Sequence, residues 1–189
     1  MLKIEKQGNQ YIRKNKKVVA IGGVPCTGKT TLVRGILNSL DDPKFFKYGQ
    51  LRGYISDDLA ILGVYKPNEV FSGTDKLSLS VQKSYENFLK ITDYNVLFEG
   101  DRLFTAKNLE NIQQNYDYQF FVLELPDDLL EERRIGRNNT QSDKFLKGRS
   151  TKINNIKSNE ALKGNIKLVE MIGEKELNRT IKNIKDFLI

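Results

Sequence analysis

Residues 18–34 read VVAIGGVPCTGKTTLVR, and the rest of the chain is organised around them. Residues 18–22 are small or apolar and predict a buried strand. From Gly23 to Thr30 the chain matches G-x-x-x-x-G-K-[ST], the Walker A pattern of a P-loop, at every fixed position. Gly23 and Gly28 allow turns that a side chain would block, so successive amides can point at phosphate oxygens. Lys29 supplies a point charge for the outer phosphates, and the Thr30 hydroxyl suits Mg²⁺. A helix over residues 31–37 then turns its positive N-terminal end toward the same place. A glycine-rich strand-to-helix turn could meet the pattern by chance. Here an apolar strand precedes it, and Leu32, Val33, Ile36, Leu37 and Leu40 give an amphipathic helix after it. The expected nucleotide site is Gly23, Val24, Pro25, Cys26, Thr27, Gly28, Lys29, Thr30 and Thr31, with ATP and Mg²⁺ as its ligands.

A length of 189 residues suits one domain with a full core. The single cysteine, Cys26, rules out an intramolecular disulfide and suits a reducing cytoplasm. Histidine is absent, so any general base must be a carboxylate, lysine, tyrosine or cysteine. No apolar run approaches membrane-spanning length, and residues 1–17 are too polar for a signal peptide. The formal charge of +7 is uneven: residues 133–167 carry a net +8 and residues 1–17 a net +5, on an otherwise acidic body. Such segments suit a polyanionic partner, nucleotide phosphates or nucleic acid, although ordinary surface lysine would look similar.

Along the chain, Leu2–Ile4 and Tyr11–Ile12 could pair as a short hairpin. Residues 53–56 read as a second strand ending in Asp57 and Asp58, and 59–65 as an apolar run too short for a helix. Leu77, Val81, Tyr85, Phe88, Leu89 and Ile91 recur at helical spacing over 77–91. Residues 95–98 predict a strand leading into Glu99–Gly100–Asp101–Arg102, 105–114 a helix, and 119–125 a strand stopped by Pro126. Asp127 and Asp128 open the next helix, 133–163 is basic and mostly helical, 166–172 is a last strand and 174–188 a closing helix. Strands alternating with helices predict an α/β fold: a parallel sheet with helices on both faces.

Ligand groups gather at the carboxyl ends of parallel strands. Asp57 and Asp58 follow one strand, and Glu99 and Asp101 another, so each pair is a candidate for holding Mg²⁺ or accepting a hydroxyl proton. Arg133, Arg134, Arg137, Lys144, Lys147, Arg149 and Lys152 form a basic segment able to close over transferring phosphates, or simply a solvated helix face.

GVPCTGKT, ISDD, VLFEGD and the Arg133–Arg137 cluster resemble the P-loop kinases of the nucleoside monophosphate kinase and polynucleotide kinase group, in order and spacing over most of the chain. The resemblance implies a three-layer P-loop fold with a helical lid. It implies Asp57 as general base and a lid that closes Arg133, Arg134 and Arg137 over the phosphates, with Arg133 and Arg137 as catalytic cations. The residues themselves assign Lys29 to the phosphates, Thr30 to Mg²⁺, and Glu99 or Asp101 to support of the metal. A narrower resemblance, carried by LAILGVY, FSGTDKLSLSVQ, FEGDRLF and FLKGRSTKI, is to phage-encoded kinases that phosphorylate hydroxymethyluracil in DNA. It implies Gly73, Thr74 and Asp75 near the acceptor. Asp58 and Arg102 are further candidates for substrate contact, and the expected location is the cytoplasm, that of the host for a phage-encoded chain. The chain departs from that pattern in its small size, with no separate nucleic-acid-binding module. The expected activity is Mg²⁺- and ATP-dependent phosphorylation of a hydroxyl, with DNA or a nucleotide as acceptor. Its rivals are a kinase for a free nucleoside or nucleotide and an NTP-dependent switch or ATPase without an acceptor.

Overall fold

The run Val18–Ile21 alternates between two separate cores. Val18 and Ala20 face one layer of helices and Val19 and Ile21 the other, all four fully buried. A strand apolar on both faces belongs at the centre of a sheet with helices above and below, and that is where it lies. The computed structural model describes residues 16–66, 72–136 and 141–189.

The elements in chain order are β1 (Lys17–Gly22), α1 (Lys29–Leu37), β2 (Lys44–Tyr48), β3 (Leu51–Ser56), β4 (Leu59–Leu62), a 3₁₀ turn (Thr74–Lys76), α2 (Gln82–Ile91) and β5 (Asn95–Glu99). Then follow α3 (Ala106–Asn115), β6 (Asp117–Glu124), α4 (Asp127–Gly136), α5 (Asp143–Lys157), β7 (Ile166–Glu170) and α6 (Glu174–Leu188). One seven-stranded sheet has the order β2-β3-β4-β5-β1-β6-β7. The five strands β4, β5, β1, β6 and β7 run parallel. β2 and β3 extend the β4 edge through antiparallel pairing.

Residues from α1 and α6, among them Leu32, Ile36, Ile184 and Leu188, pack on the Val19–Ile21 face. Tyr85 and Leu89 of α2, Leu109 and Ile112 of α3, and Ile153 and Ile156 of α5 pack on the Val18–Ala20 face. Both layers are present, and the fold is a three-layer α/β P-loop fold. Side-chain caps hold two helices: Thr105 accepts from the Asn108 amide at α3, and Ser142 from the Phe145 amide at α5.

The sequence expectations differ from this arrangement in three places. Residues 53–56 belong to a strand that runs against its neighbours, because Asp57 and Asp58 form a two-residue turn between Ser56 and Leu59, which pair with each other. The apolar run after them supplies the parallel strand instead, as β4. Lys44–Tyr48 was not anticipated as a strand; it pairs with β3 along its full length. The helix expected over 77–91 begins at Gln82, with Leu77 and Val81 buried ahead of it. The hairpin expected from Leu2–Ile4 and Tyr11–Ile12 lies outside the described residues.

Candidate functional site

β1 ends at Gly22, and the next turn is built by close approaches. A Cβ on Gly22 would lie 2.2 Å from the Phe104 ring, and one on Gly23 (φ 139°) 2.6 Å from the Leu123 carbonyl oxygen. Cys26 and Gly28 also have positive φ, 70° and 96°. Thr27 is buried, and its hydroxyl donates to the Val24 carbonyl at 2.9 Å, folding the loop on itself. Gly28 precedes α1, which has neither a side-chain cap nor an acidic residue in its first turn. Its leading amides therefore point toward the loop with no acidic side chain of the helix's own first turn to compete with an anion. The Lys29 ammonium donates to the carbonyls of Gly23 (2.7 Å) and Val24 (2.8 Å), placing a cation on the same loop. This donor set suits polyphosphate.

Glu99 closes β5 directly beside β1, opposite Ile21, and is 1% exposed. Thr30 Oγ1 donates to Glu99 Oε1 at 3.1 Å. Burial raises the Glu99 pKa to about 7; the Asp75 and Asp101 charges push the same way, against Lys29 and the Thr30 hydrogen bond. The 73–75 segment is pressed onto this strand end. Thr74 Oγ1 donates to the Glu99 carbonyl at 2.7 Å, and a Cβ on Gly73 would lie 2.1 Å from Glu99 Oε1. The Arg102 amide donates to Asp75 Oδ1 at 3.1 Å. Asp75 retains an open side, yet its pKa is raised by burial of its carboxyl and then by Asp101, while the Arg102 amide, Lys29 and Arg149 oppose the shift. Gly73, Thr74, Asp75, Glu99, Asp101 and Arg102, anticipated from two separate stretches, thus come together with Lys29 and Thr30.

The remaining carboxylates are placed differently. Asp101 pairs its carboxylate with Arg149 (2.9 Å) and Lys152 (3.9 Å), and its carbonyl accepts from Lys152 at 2.6 Å. Gly100, at φ 105°, turns the chain between Glu99 and Asp101. The Lys152 pKa is lowered by burial, with Asp101 opposing.

Asp57 and Asp58 are not at the site at all. The Asp58 carbonyl accepts from the Asn95 amide at 2.7 Å, at the amino end of β5, whereas Glu99 is at its carboxyl end. Four residues of strand put the two ends about 13 Å apart. Both aspartates are exposed. An antiparallel strand delivers its carboxyl end to the opposite edge of the sheet, so Asp57 cannot serve as the base there, nor Asp58 as a substrate contact.

Among the expected arginines, Arg133 of α4 donates to the carbonyls of Met171 (2.9 Å) and Ile172 (3.3 Å). Its Nη1 stands 3.8 Å from where a Cβ on Gly28 would be, beside the loop. Arg134 turns to Glu131 at 3.4 Å, and Arg137 lies outside the described residues. In the basic 133–163 segment, Lys144 and Lys147 are exposed, but Ile153 and Ile156 seat the second half of α5 in the core.

Among the described residues no three Cys, Asp or Glu side chains converge as a metal site, and no helix is long and apolar enough to cross a membrane. Mg²⁺ is commonly held by one or two carboxylates together with substrate phosphates, and Thr30 with Glu99 fits that use. Sequence reasoning missed that the exit of β4 leads into the site. The available signal was four apolar residues followed by Gly63.

No family model matches the chain, and no curated protein matches it by sequence. Among solved structures, the fold is similar to a sugar kinase from a Janibacter species, at 12% identity over 92% of this chain and 94% of that one, with a TM-score of 0.48. A gluconokinase from Sinorhizobium meliloti is similar at 12% identity over 92% of this chain and 98% of that one, with a TM-score of 0.43. At these values the likeness concerns general shape and says nothing of what this chain binds.

Proposed function

We propose that the chain is a Mg²⁺- and ATP-dependent kinase that transfers the γ-phosphate to a hydroxyl, that of a hydroxymethyl group on a modified pyrimidine in DNA. The observation that carries the kinase reading is the meeting of Lys29, Thr30, Glu99 and Asp75 at one edge of the sheet, beside the Gly23–Thr30 loop. The loop amides and Lys29 hold the phosphates, and Arg133 adds positive charge beside Gly28. Thr30 and Glu99 would hold Mg²⁺, which neutralises charge on the phosphate oxygens.

Asp75 takes the role first expected of Asp57. Its raised pKa suits a carboxylate that must accept a proton in the course of reaction. The acceptor oxygen forms a bond to the γ-phosphorus, the bond from that phosphorus to the β–γ bridging oxygen breaks, and ADP leaves. The hydroxyl proton passes to the Asp75 carboxylate. The DNA acceptor rests on the motifs FSGTDKLSLSVQ and FEGDRLF, which contain Gly73–Asp75 and Asp101–Arg102.

The test is transfer of labelled γ-phosphate to a panel of nucleosides, nucleotides, plain DNA and hydroxymethylated DNA. Label on hydroxymethylated DNA alone supports the full reading. Label on a free nucleoside or nucleotide alone retains the kinase and replaces the acceptor. ATP hydrolysis that no acceptor stimulates or captures points to a switch or ATPase instead.

A further inference from the structure

Asp101 stands between Glu99 and the Arg102 amide, and the kinase reading gives it no task. Its side chain, 15% exposed, pairs with Arg149 at 2.9 Å and Lys152 at 3.9 Å, and Lys152 also donates to the Asp101 carbonyl at 2.6 Å. Arg149 and Lys152 are neighbours on one face of α5. The Arg149 guanidinium lies over the Phe145 ring, 4.5 Å from its centroid, which braces it on the same helix. One acid thus joins α5 to the end of β5 through side chain and backbone together.

Packing alone does not call for this grip. Ile153 and Ile156 already seat the second half of α5 in the core, and Lys157 pairs with Glu124 of β6 at 2.6 Å. Charged groups drawn out of water seldom stabilise a fold more than apolar side chains of similar volume would. What charge-assisted hydrogen bonds do supply is direction.

That direction has a target. Gly100 (φ 105°) turns the chain so that the Asp101 side chain meets α5 while the next amide, that of Arg102, donates to Asp75 Oδ1 at 3.1 Å. Among the described residues this is the one hydrogen bond that the Asp75 carboxylate accepts. A Cβ on Gly100 would lie 3.2 Å from the same oxygen, so the turn rests against the carboxylate.

We infer that Asp101 is a positioning residue: gripping Arg149 and Lys152, it holds the 100–102 turn so that the Arg102 amide orients the Asp75 carboxylate toward the acceptor hydroxyl. The inference rests on the kinase reading for the task of Asp75, whereas the grip itself can be read without catalysis. A displacement of about 1 Å in a reacting group can cost ~10²-fold in rate.

The experiment is hydrogen exchange of the Arg102 backbone amide, resolved by NMR in the full chain without nucleotide. Beside it, single-turnover transfer is measured to whichever acceptor takes label. The variants are Asp101→Ala, the pair Arg149→Ala with Lys152→Ala, and all three together. Arg102 exchange should quicken about 10-fold in each, the scale of losing one hydrogen bond, relative to the Leu97 amide in β5 as a reference for global opening. Transfer should fall by ~10²-fold while the affinities for ATP and acceptor stay unchanged. The triple variant should be no worse than Asp101→Ala, because the three residues act as one unit.

Arg102 exchange that changes only in step with Leu97 would overturn the inference, since a merely structural role moves both. Loss of transfer in the Arg149 and Lys152 pair with Arg102 exchange unaltered would overturn it too, by giving those cations a direct role. The two readings fail separately. Arg102 protection that depends on Asp101, in a protein that transfers no phosphate, refutes the kinase and leaves Asp101 holding the turn. Transfer that every variant keeps refutes the positioning role and not the kinase.

Discussion

Thr30 and Glu99 join the first turn of α1 to the last residue of β5 through one side-chain hydrogen bond of 3.1 Å. The acid in that bond is fully buried and raised to about 7 from an ordinary value of 4.5. Between those two values the native state binds a proton that the unfolded chain has released, so stability falls as pH rises from about 4.5 to about 7. Above that window the whole penalty is present. Glu99→Gln removes the titration and keeps an oxygen for Thr30. In metal-free buffer, its stability relative to the unaltered protein should rise across the window by on the order of 3 kcal/mol. Urea unfolding of both proteins at pH 5 and pH 8 checks this; a difference independent of pH refutes it.

Lys29→Ala removes a cation held by two loop carbonyls, on a partly exposed residue. Phosphate transfer should fall by at least ~10²-fold, the scale of losing one well-placed donor to developing charge. The unfolding temperature should hardly move. Near-normal turnover by a folded variant would sink the assignment of the loop.

Asp75→Asn and Asp57→Asn should separate cleanly. Losing a general base typically costs ~10²–10⁴ in rate, so Asp75→Asn should lose that much turnover while keeping its ATP affinity. Asp57 is exposed at φ 47°, a conformation that asparagine tolerates. Asp57→Asn should leave turnover unchanged and stability within ~0.5 kcal/mol. Single-turnover rates and nucleotide titrations on the pair decide it, and the opposite ranking would restore Asp57.

Gly73→Ala tests the contact between the 73–75 segment and β5. Gly73 has φ 79° and ψ −150°, a region open essentially to glycine alone, and its Cβ would collide with Glu99 Oε1. Backbone strain alone should cost ~1–3 kcal/mol, and turnover should drop as Glu99 is displaced. Gly148→Ala is the matched control: it lies within α5 with nothing near its Cβ, and should stabilise by ~0.5–1 kcal/mol. Thermal unfolding of both variants reads the contrast.

Much of the fold was legible because its central strands are apolar on both faces and end in recognisable turns. The β1–loop–α1 unit, β5, β6 and α6 follow from local pattern alone. Strand direction does not. Ser56–Asp57–Asp58–Leu59 reads equally as an acidic strand end or as a two-residue hairpin, and only the pairing of Ser56 with Leu59 distinguishes them. That single reversal moved the expected base to the wrong edge of the sheet. Lys44–Tyr48 escaped for a related reason: as an edge strand it buries no residue fully, and its lysines mask the alternation. Within the site, sequence indicated Lys29, Thr30, Glu99 and Asp75 as candidates. The sharing of Asp101 with Arg149 and Lys152 depends on how α5 returns to β5, which no local pattern encodes.

The seven-strand order leaves β2 and β7 as the outermost strands, and each carries lysine: Lys44 and Lys47 on one, Lys167 on the other, all exposed. Unpaired strand edges are templates on which other chains can add and fibrils can grow. A second copy adding in register to either edge would bring ammonium groups against one another, and the repulsion would recur at every further addition. KFFKY sets two adjacent aromatics on one of these outer strands. Its flanking lysines are placed as gatekeepers against such addition.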